Sequence, residues 1–271
     1  MMKWVFAAAL TCAAVTSAMA IELPPEIAKQ GSIKVAIVPN YPPMEFRDPA
    51  TNTLTGFDVE LGEALGKKLG LKIDWQQTSF DQMMPAISTG RVDAILSGMT
   101  DMASRQDTAT FVDYLRNGPR FFVQQSRAAE FKDTTAFCGK KVGASRRTSF
   151  PKLIAAWSDA NCAANPIQFV GTEGSADART QLRQGRIDAA VQGGETLPYM
   201  MDLEPGTYVP VGDVFATQFT GLALGVKEKV LQQAVVEALD ALIADGTYRA
   251  LLAKWKLTDY GVEKATINAG Q

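Results

Sequence analysis

Residues 88–105 read STGRVDAILSGMTDMASR, and this stretch decides the fold. Gly90 ends a helix that carries Met83, Met84 and Ile87. Val92, Ala94, Ile95 and Leu96 form a short apolar run of the kind a buried parallel strand needs. Ser97, Gly98, Met99 and Thr100 follow, small or hydroxylated, and Arg105 stands five residues beyond Thr100. A strand that runs through such a loop into a helix makes an anion site, because free N–H groups and the helix dipole both favour negative charge. An arginine beside it can close a bidentate grip on a carboxylate. Taken alone, the same residues fit an ordinary strand–helix connection with a solvated arginine equally well.

The stretch recurs. Residues 183–196 read RQGRIDAAVQGGET, so Gly-Arg-(Val/Ile)-Asp-Ala stands at 90–94 and again at 185–189. The surroundings match in character: Thr78-Ser79-Phe80-Asp81 opens the helix before the first copy, and Ser175-Ala176-Asp177 opens the helix before the second. Further upstream, Ile33-Lys34-Val35-Ala36-Ile37 pairs in kind with Lys140-Lys141-Val142-Gly143-Ala144 as a strand start. Two α/β lobes of one design follow from this. Ligands of open parallel sheets sit off the carboxyl ends of the strands, and two such lobes face to face make a cleft.

The chain has 271 residues, 46% hydrophobic and 21% charged, enough for two domains with cores of their own. A formal charge of −2 argues against nucleic acid and against an electrostatic membrane anchor. Residues 1–20 read as a cleavable secretory signal: Lys3, an apolar run from Val5 to Val15, then Ala18-Met19-Ala20. Cys12 lies within it as a weak candidate for lipid attachment, since Thr11 is a poor residue before such a site. Past the signal, Cys138 and Cys162 remain, an even pair in an oxidising compartment, either joined as a disulfide or buried as two thiols. The chain has no histidine, which removes Ser-His-Asp and Cys-His catalytic sets and any His-ligated metal. No phosphate-loop or dinucleotide glycine motif is present, and no cofactor is expected.

In order along the chain, Ile33–Val38 is the first buried strand, and it ends in the stiff loop Pro39-Asn40-Tyr41-Pro42-Pro43. Gly56-Phe57-Asp58-Val59-Glu60-Leu61 opens a helix that Gly70 ends, and Leu71–Trp75 is the second strand. Together with Tyr41-Pro42-Pro43-Met44-Glu45-Phe46, Gly90-Arg91-Val92-Asp93-Ala94, Ser97-Gly98-Met99-Thr100 with Arg105, and Asp245-Gly246-Thr247-Tyr248 with Lys254-Trp255, this helix start resembles the bacterial extracellular solute-binding proteins of the polar amino-acid type, family 3. The resemblance covers nearly the whole chain beyond the signal, in order.

What it implies is the two-lobed periplasmic-binding-protein fold, two α/β lobes joined by two crossing hinge strands. Lobe one is expected at 21–121 plus 217–271 and lobe two at 122–216, with Phe121–Gln125 and the segment around Val214–Leu224 as the crossings. It implies a monomeric periplasmic receptor that closes on a small solute and hands it to a membrane permease driven by an ATPase. By the same resemblance Tyr41 and Phe80 flank the ligand, Ser97 or Gly98 offers a carbonyl to an ammonium, Thr100 and Thr148 give donors to a carboxylate, and Arg105 pairs with that carboxylate.

Two departures bear on the ligand. Amino-acid binders of this family carry an acid for the α-ammonium where this chain has Gly193, and Glu195 either reaches in to replace it or is a solvated loop acid. Arg146 and Arg147 stand where the family tends to have glycine, either facing the cleft or lying on the surface. With Arg147 inward and no acid at 193, the charge balance points to an organic acid or an acidic amino acid. Two further readings share the scaffold: a cyclohexadienyl dehydratase-like enzyme with Glu195 or Glu173 as general acid, and an accessory ligand sensor.

Overall fold

The computed structural model describes residues 21–270; the signal read at 1–20, with Cys12, lies outside the described residues. Two mixed sheets organise the chain. The first runs in the order Gly261–Ile267, Ala109–Asn117, Gln218–Gly225, Ala94–Ile95, Ser32–Ile37, Lys72–Gln77. The second runs Gln168–Thr172, Lys141–Ser145, Ala189–Gly193, Pro119–Gln124, Tyr208–Val211. In each, the early strands are parallel and the strands that carry the chain between lobes are antiparallel. Helices cover both faces, and each sheet has an apolar cluster on either side.

The internal repeat has a mechanical explanation. Gly90 and Gly185 take φ of +67° and +68°, the left-handed turn that ends a helix at little cost only for glycine. Arg91 N–H then bonds back to Ala86 O, and Arg186 N–H to Gln181 O, each at 2.9–3.0 Å. Val92 and Ile187 plug the core. The aspartate of each copy reaches the first strand of its own lobe: Lys34 N–H donates to Asp93 Oδ2 at 2.8 Å, and Lys141 N–H to Asp188 Oδ2 at 3.0 Å. Gly-Arg-x-Asp-Ala is therefore a helix-to-strand fastener used twice, and none of its residues lines the main cleft.

The first crossing lies slightly upstream of its expected position, and the return overlaps the expected one. Phe121, expected at the end of lobe one, pairs with Val191 and Val211 in the second sheet. The chain passes between the sheets at Asn117–Pro119 and returns between Val211 and Gln218. Cys138 and Cys162 form a disulfide with Cα atoms 5.2 Å apart, tying a short helical turn to the end of the helix Phe150–Asn161. Met83 and Met200 are buried packing residues, the latter accepting from Gln192 Nε2 at 2.9 Å.

Candidate functional site

One cleft between the lobes collects most of the residues singled out above. The space between its walls, open solvent included, comes to about 630 Å³. Lobe one supplies Asn40, Tyr41, Glu45, Phe80, Ser97, Gly98, Thr100 and Arg105; Asn117 comes from the crossing; lobe two supplies Ser145, Thr148, Phe150, Glu173, Gly174 and Ser175. Arg147, Gly193 and Glu195 are not among the lining residues.

The loop after Ala94–Ile95 is shaped by a buried aspartate. Gly98 N–H donates to Asp58 Oδ2 at 2.6 Å, and Tyr114 OH donates to Asp58 Oδ1 at 2.8 Å. Asp58 thus pins the ligand-side loop from the first turn of the helix Phe57–Leu69. Ser97 is engaged twice, accepting from Val38 N–H at 3.1 Å and donating to Glu45 Oε1 at 2.8 Å. Its hydroxyl is framework, and a backbone carbonyl is what the residue can still offer.

The anion end differs from the expected strand–loop–helix. Thr100–Asp101 forms a short strand against Phe219–Thr220, and the helix that follows, Ala103–Gln106, is a single turn. Its dipole is correspondingly small, so Arg105 itself carries the positive charge. Arg105 Nη1 donates to Thr100 O at 2.8 Å, and the guanidinium lies 5.7 Å from the Phe80 ring centroid. Burial lowers its pKa, but a guanidinium stays charged. Thr148 faces the same cleft, yet its hydroxyl donates to Ser145 O at 2.8 Å and accepts from Phe150 N–H at 3.2 Å, ordering its own loop.

Neither loop arginine enters. Arg147 forms an ion pair with Asp81 across the mouth of the cleft, and Arg146 binds Gly171 O at 3.0 Å and Glu173 at 3.1 Å. Both are about half exposed. A solvated guanidinium is well served there, and a buried one beside Arg105 would repel it. Arg147→Ala should weaken ligand binding by less than about fivefold and leave the ranking of ligands intact, as for exposed ion pairs generally; comparative titration calorimetry checks this.

The acids gather at the opposite end. Glu195 is buried, and its carboxylate fills the space at Gly193: a Cβ built there would lie 2.0 Å from Glu195 Oε1. Tyr41 OH donates to Glu195 Oε1 at 3.1 Å across the cleft, and Gly193 N–H donates to Tyr41 Oη at 3.2 Å. Glu45 and Asp58 stand behind the same tyrosine. Burial raises the pKa of all three carboxyls, that of Glu195 to about 7. The lobes also meet through Ser149 Oγ, which donates to Gln218 Oε1 at 2.9 Å, and through Tyr199, whose ring lies 5.8 Å from Phe46 and 5.9 Å from Trp255.

Sequence reasoning missed Asn40, Glu45, Asn117, Ser145, Phe150, Gly174 and Ser175 as lining residues. Ser175 was within reach: it opens the second-lobe helix as Phe80 opens the first-lobe one, so the repeat maps one onto the other. Asn117 carried no such signal, because its role depends on where the chain crosses.

A two-lobed α/β molecule with a polar cleft crossed by two strands defines a solute receptor. Residues 33–258 match the family model described as bacterial extracellular solute-binding proteins, family 3, and the chain belongs to that family. Among proteins it is similar to, the putative ABC transporter arginine-binding protein 2 of Escherichia coli is 30% identical over 94% of this chain and 99% of its own length. The L-cystine-binding protein TcyJ of Escherichia coli is 28% identical over 85% of this chain and 84% of its own. Among solved structures, the ancestral amino acid-binding protein AncCDT-1, a precursor of cyclohexadienyl dehydratase, aligns with a TM-score of 0.74 and 28% identity, over 85% of this chain and 97% of that one. ArgBP from T. maritima, as its P235GK mutant, aligns at 0.73 with 27% identity, over 88% and 99%.

Proposed function

We propose that this chain is a periplasmic receptor for an α-amino acid, which it encloses between its lobes and presents to an inner-membrane permease driven by an ATPase. The observation that carries this is the polarity of the cleft: one guanidinium, Arg105, at one end and the acid Glu45 at the other, where Tyr41 OH is bonded to Glu195 behind the lining. An α-amino acid has that same polarity. The ligand carboxylate would take Arg105 with the Thr100 backbone, and Tyr41 and Phe80 would cover its faces.

This moves the expectation of an organic acid or an acidic amino acid toward amino acids in general. That expectation required Arg147 inward and nothing acidic near position 193, whereas Arg147 pairs with Asp81 and Glu195 occupies the space beside Gly193. Binding proteins for arginine and for cystine among the relatives agree with a ligand that carries both charges.

A dehydratase-like reaction finds less support. It needs a proton donor held out of water in the cleft, but Glu195 is covered by Tyr41, and Glu173, although it lines the cleft, is solvated and paired with Arg146. A non-enzymatic receptor fits better.

A thermal-shift panel on protein refolded free of carried-over ligand tests the proposal. A ligand at about 100 times its Kd adds roughly 2.7 kcal/mol, which for a chain of this size is a midpoint rise of about 5–10 °C. The expected hits are α-amino acids. Hits confined to ammonium-free acids, or turnover of prephenate or arogenate, would overturn it.

A further inference from the structure

Residues 261–270 lie beyond the stretch 33–258 that matches the family model, and they run up against the element that carries Arg105. The strand Gly261–Ile267 lies on the edge of the first sheet, along Ala109–Asn117. Asn268 then turns the chain, with φ at +52°, and is held twice. Its N–H donates to Phe111 O at 3.0 Å, and its Oδ1 accepts from Phe111 N–H at 2.8 Å. The next two N–H groups each go to a buried carboxylate, Ala269 to Asp113 Oδ2 at 3.0 Å and Gly270 to Asp101 Oδ2 at 2.6 Å.

Asp101 stands at the centre of this contact. Its other oxygen, Oδ1, accepts from Gln106 Nε2 at 2.8 Å, and the same amide donates to Gly270 O at 3.2 Å. Gln106 follows Arg105 in the single turn Ala103–Gln106, and Arg105 Nη1 donates to Thr100 O, on the residue before Asp101. The arginine and the segment 268–270 are thus anchored on the same turn and the same short strand. Gly270 fits there because it has no side chain: a Cβ would lie 2.2 Å from Asp101 O.

Asp101 is 1% exposed, and it lies near enough to Arg105 for its charge to favour the guanidinium. A buried carboxylate must be met by donors or by a cation. Here it is met by two neutral donors, the Gly270 N–H and the Gln106 amide, and neither of its oxygens is turned to the guanidinium. Asp113 stands beside it and adds like-charge repulsion, which the Ala269 N–H offsets. Without residues 268–270, Asp101 loses one of its two donors, and the Arg105 fork is the strongest replacement within reach. An internal carboxylate on that fork competes with the carboxylate of a ligand.

We propose that residues 268–270 are a strap that holds the Asp101 carboxylate away from Arg105, so that the guanidinium fork is left to the ligand. Gly270 is then a positioning residue: it acts through Asp101 and Gln106, and none of the three lines the cleft. This rests on the receptor reading above, in which Arg105 takes the ligand carboxylate, and adds what keeps that group available.

The test is a double-mutant cycle read by titration calorimetry, with the α-amino acid that gives the largest midpoint shift in the panel, beside melting curves of each variant. Gly270→Ala drives the strap off Asp101 and should weaken binding about tenfold, while the midpoint falls by no more than a few degrees. Asp101→Asn keeps an acceptor for the Gly270 N–H and removes the competing charge, so alone it should bind within about threefold of the parent. The double variant Asp101→Asn/Gly270→Ala should regain that affinity. A strap that only stabilised the fold would give the same loss with aspartate or asparagine at 101, and that result would overturn the proposal. A chain shortened to finish at Ile267 is the second variant; it should lose affinity as Gly270→Ala does and be rescued by the same Asp101→Asn change. Parental affinity in both Gly270→Ala and the shortened chain would also overturn the strap and leave the receptor reading standing. A panel without any amino-acid hit would overturn that reading and the strap with it.

Discussion

Arg105→Ala should abolish useful binding while leaving the fold nearly intact. Removing one partner of a buried, hydrogen-bonded charge pair costs about 2–5 kcal/mol, which is roughly 30-fold to several thousand-fold in Kd. The protein itself loses little. The guanidinium makes one hydrogen bond within the chain among the described residues, to Thr100 O, and a face contact with Phe80. The midpoint of the ligand-free protein should therefore fall by no more than a few degrees. Arg105→Lys keeps the charge but loses the planar fork, so it should recover part of the affinity. Isothermal titration of both variants, beside their melting curves, decides the matter. An Arg105→Ala protein that binds within threefold of the parent would place the carboxylate grip elsewhere in the cleft.

The same residue shows what could be read in advance and what could not. Arg105 was visible because its neighbours are close in sequence: Thr100 and the Ser97–Gly98 turn stand within one short stretch. The two-lobed design was visible because Gly-Arg-x-Asp-Ala occurs twice, and a duplicated fastener implies a duplicated lobe. The acid end was not legible in the same way. Glu45, Asp58 and Glu195 are separated by up to 150 positions, and only the packing of Tyr41 between them makes them one cluster. Glu195 was in view as a replacement for the missing acid at 193, but its place depends on a steric fact no local pattern carries, the empty side of a glycine. Arg147 misled because its partner, Asp81, belongs to the other lobe. Of the two orientations the sequence allows, cleft or surface, Arg147 takes the surface one.

Gly118→Ala should be the most damaging small substitution at the hinge. A Cβ at Gly118 would lie 1.9 Å from Ala216 O and 2.3 Å from Val214 Cγ1, so one methyl group collides with the returning crossing segment. The nearest atom belongs to the backbone and cannot swing aside as a flexible side chain would. The surrounding bonds make the region stiff: Gly194 N–H donates to Gly118 O at 2.8 Å, and Phe215 N–H donates to Pro119 O at 3.1 Å. Relief must come from separating the two crossings, which also drags the Gly193–Glu195 turn away from Tyr41. Overpacking of this kind costs about 1–3 kcal/mol or more, and a contact this short with backbone belongs at the upper end. The midpoint should drop by roughly 6–12 °C, and ligand affinity should fall about tenfold or more, because the crossing segments set the spacing of the two cleft walls. Gly174→Ala is the matched control for stability: its backbone is extended and a Cβ there meets nothing within 4 Å, so its midpoint should barely move. If Gly118→Ala melts and binds like the parent, the two crossings are free to part, and closure is governed by contacts at the cleft mouth such as Arg147–Asp81 and not by the hinge.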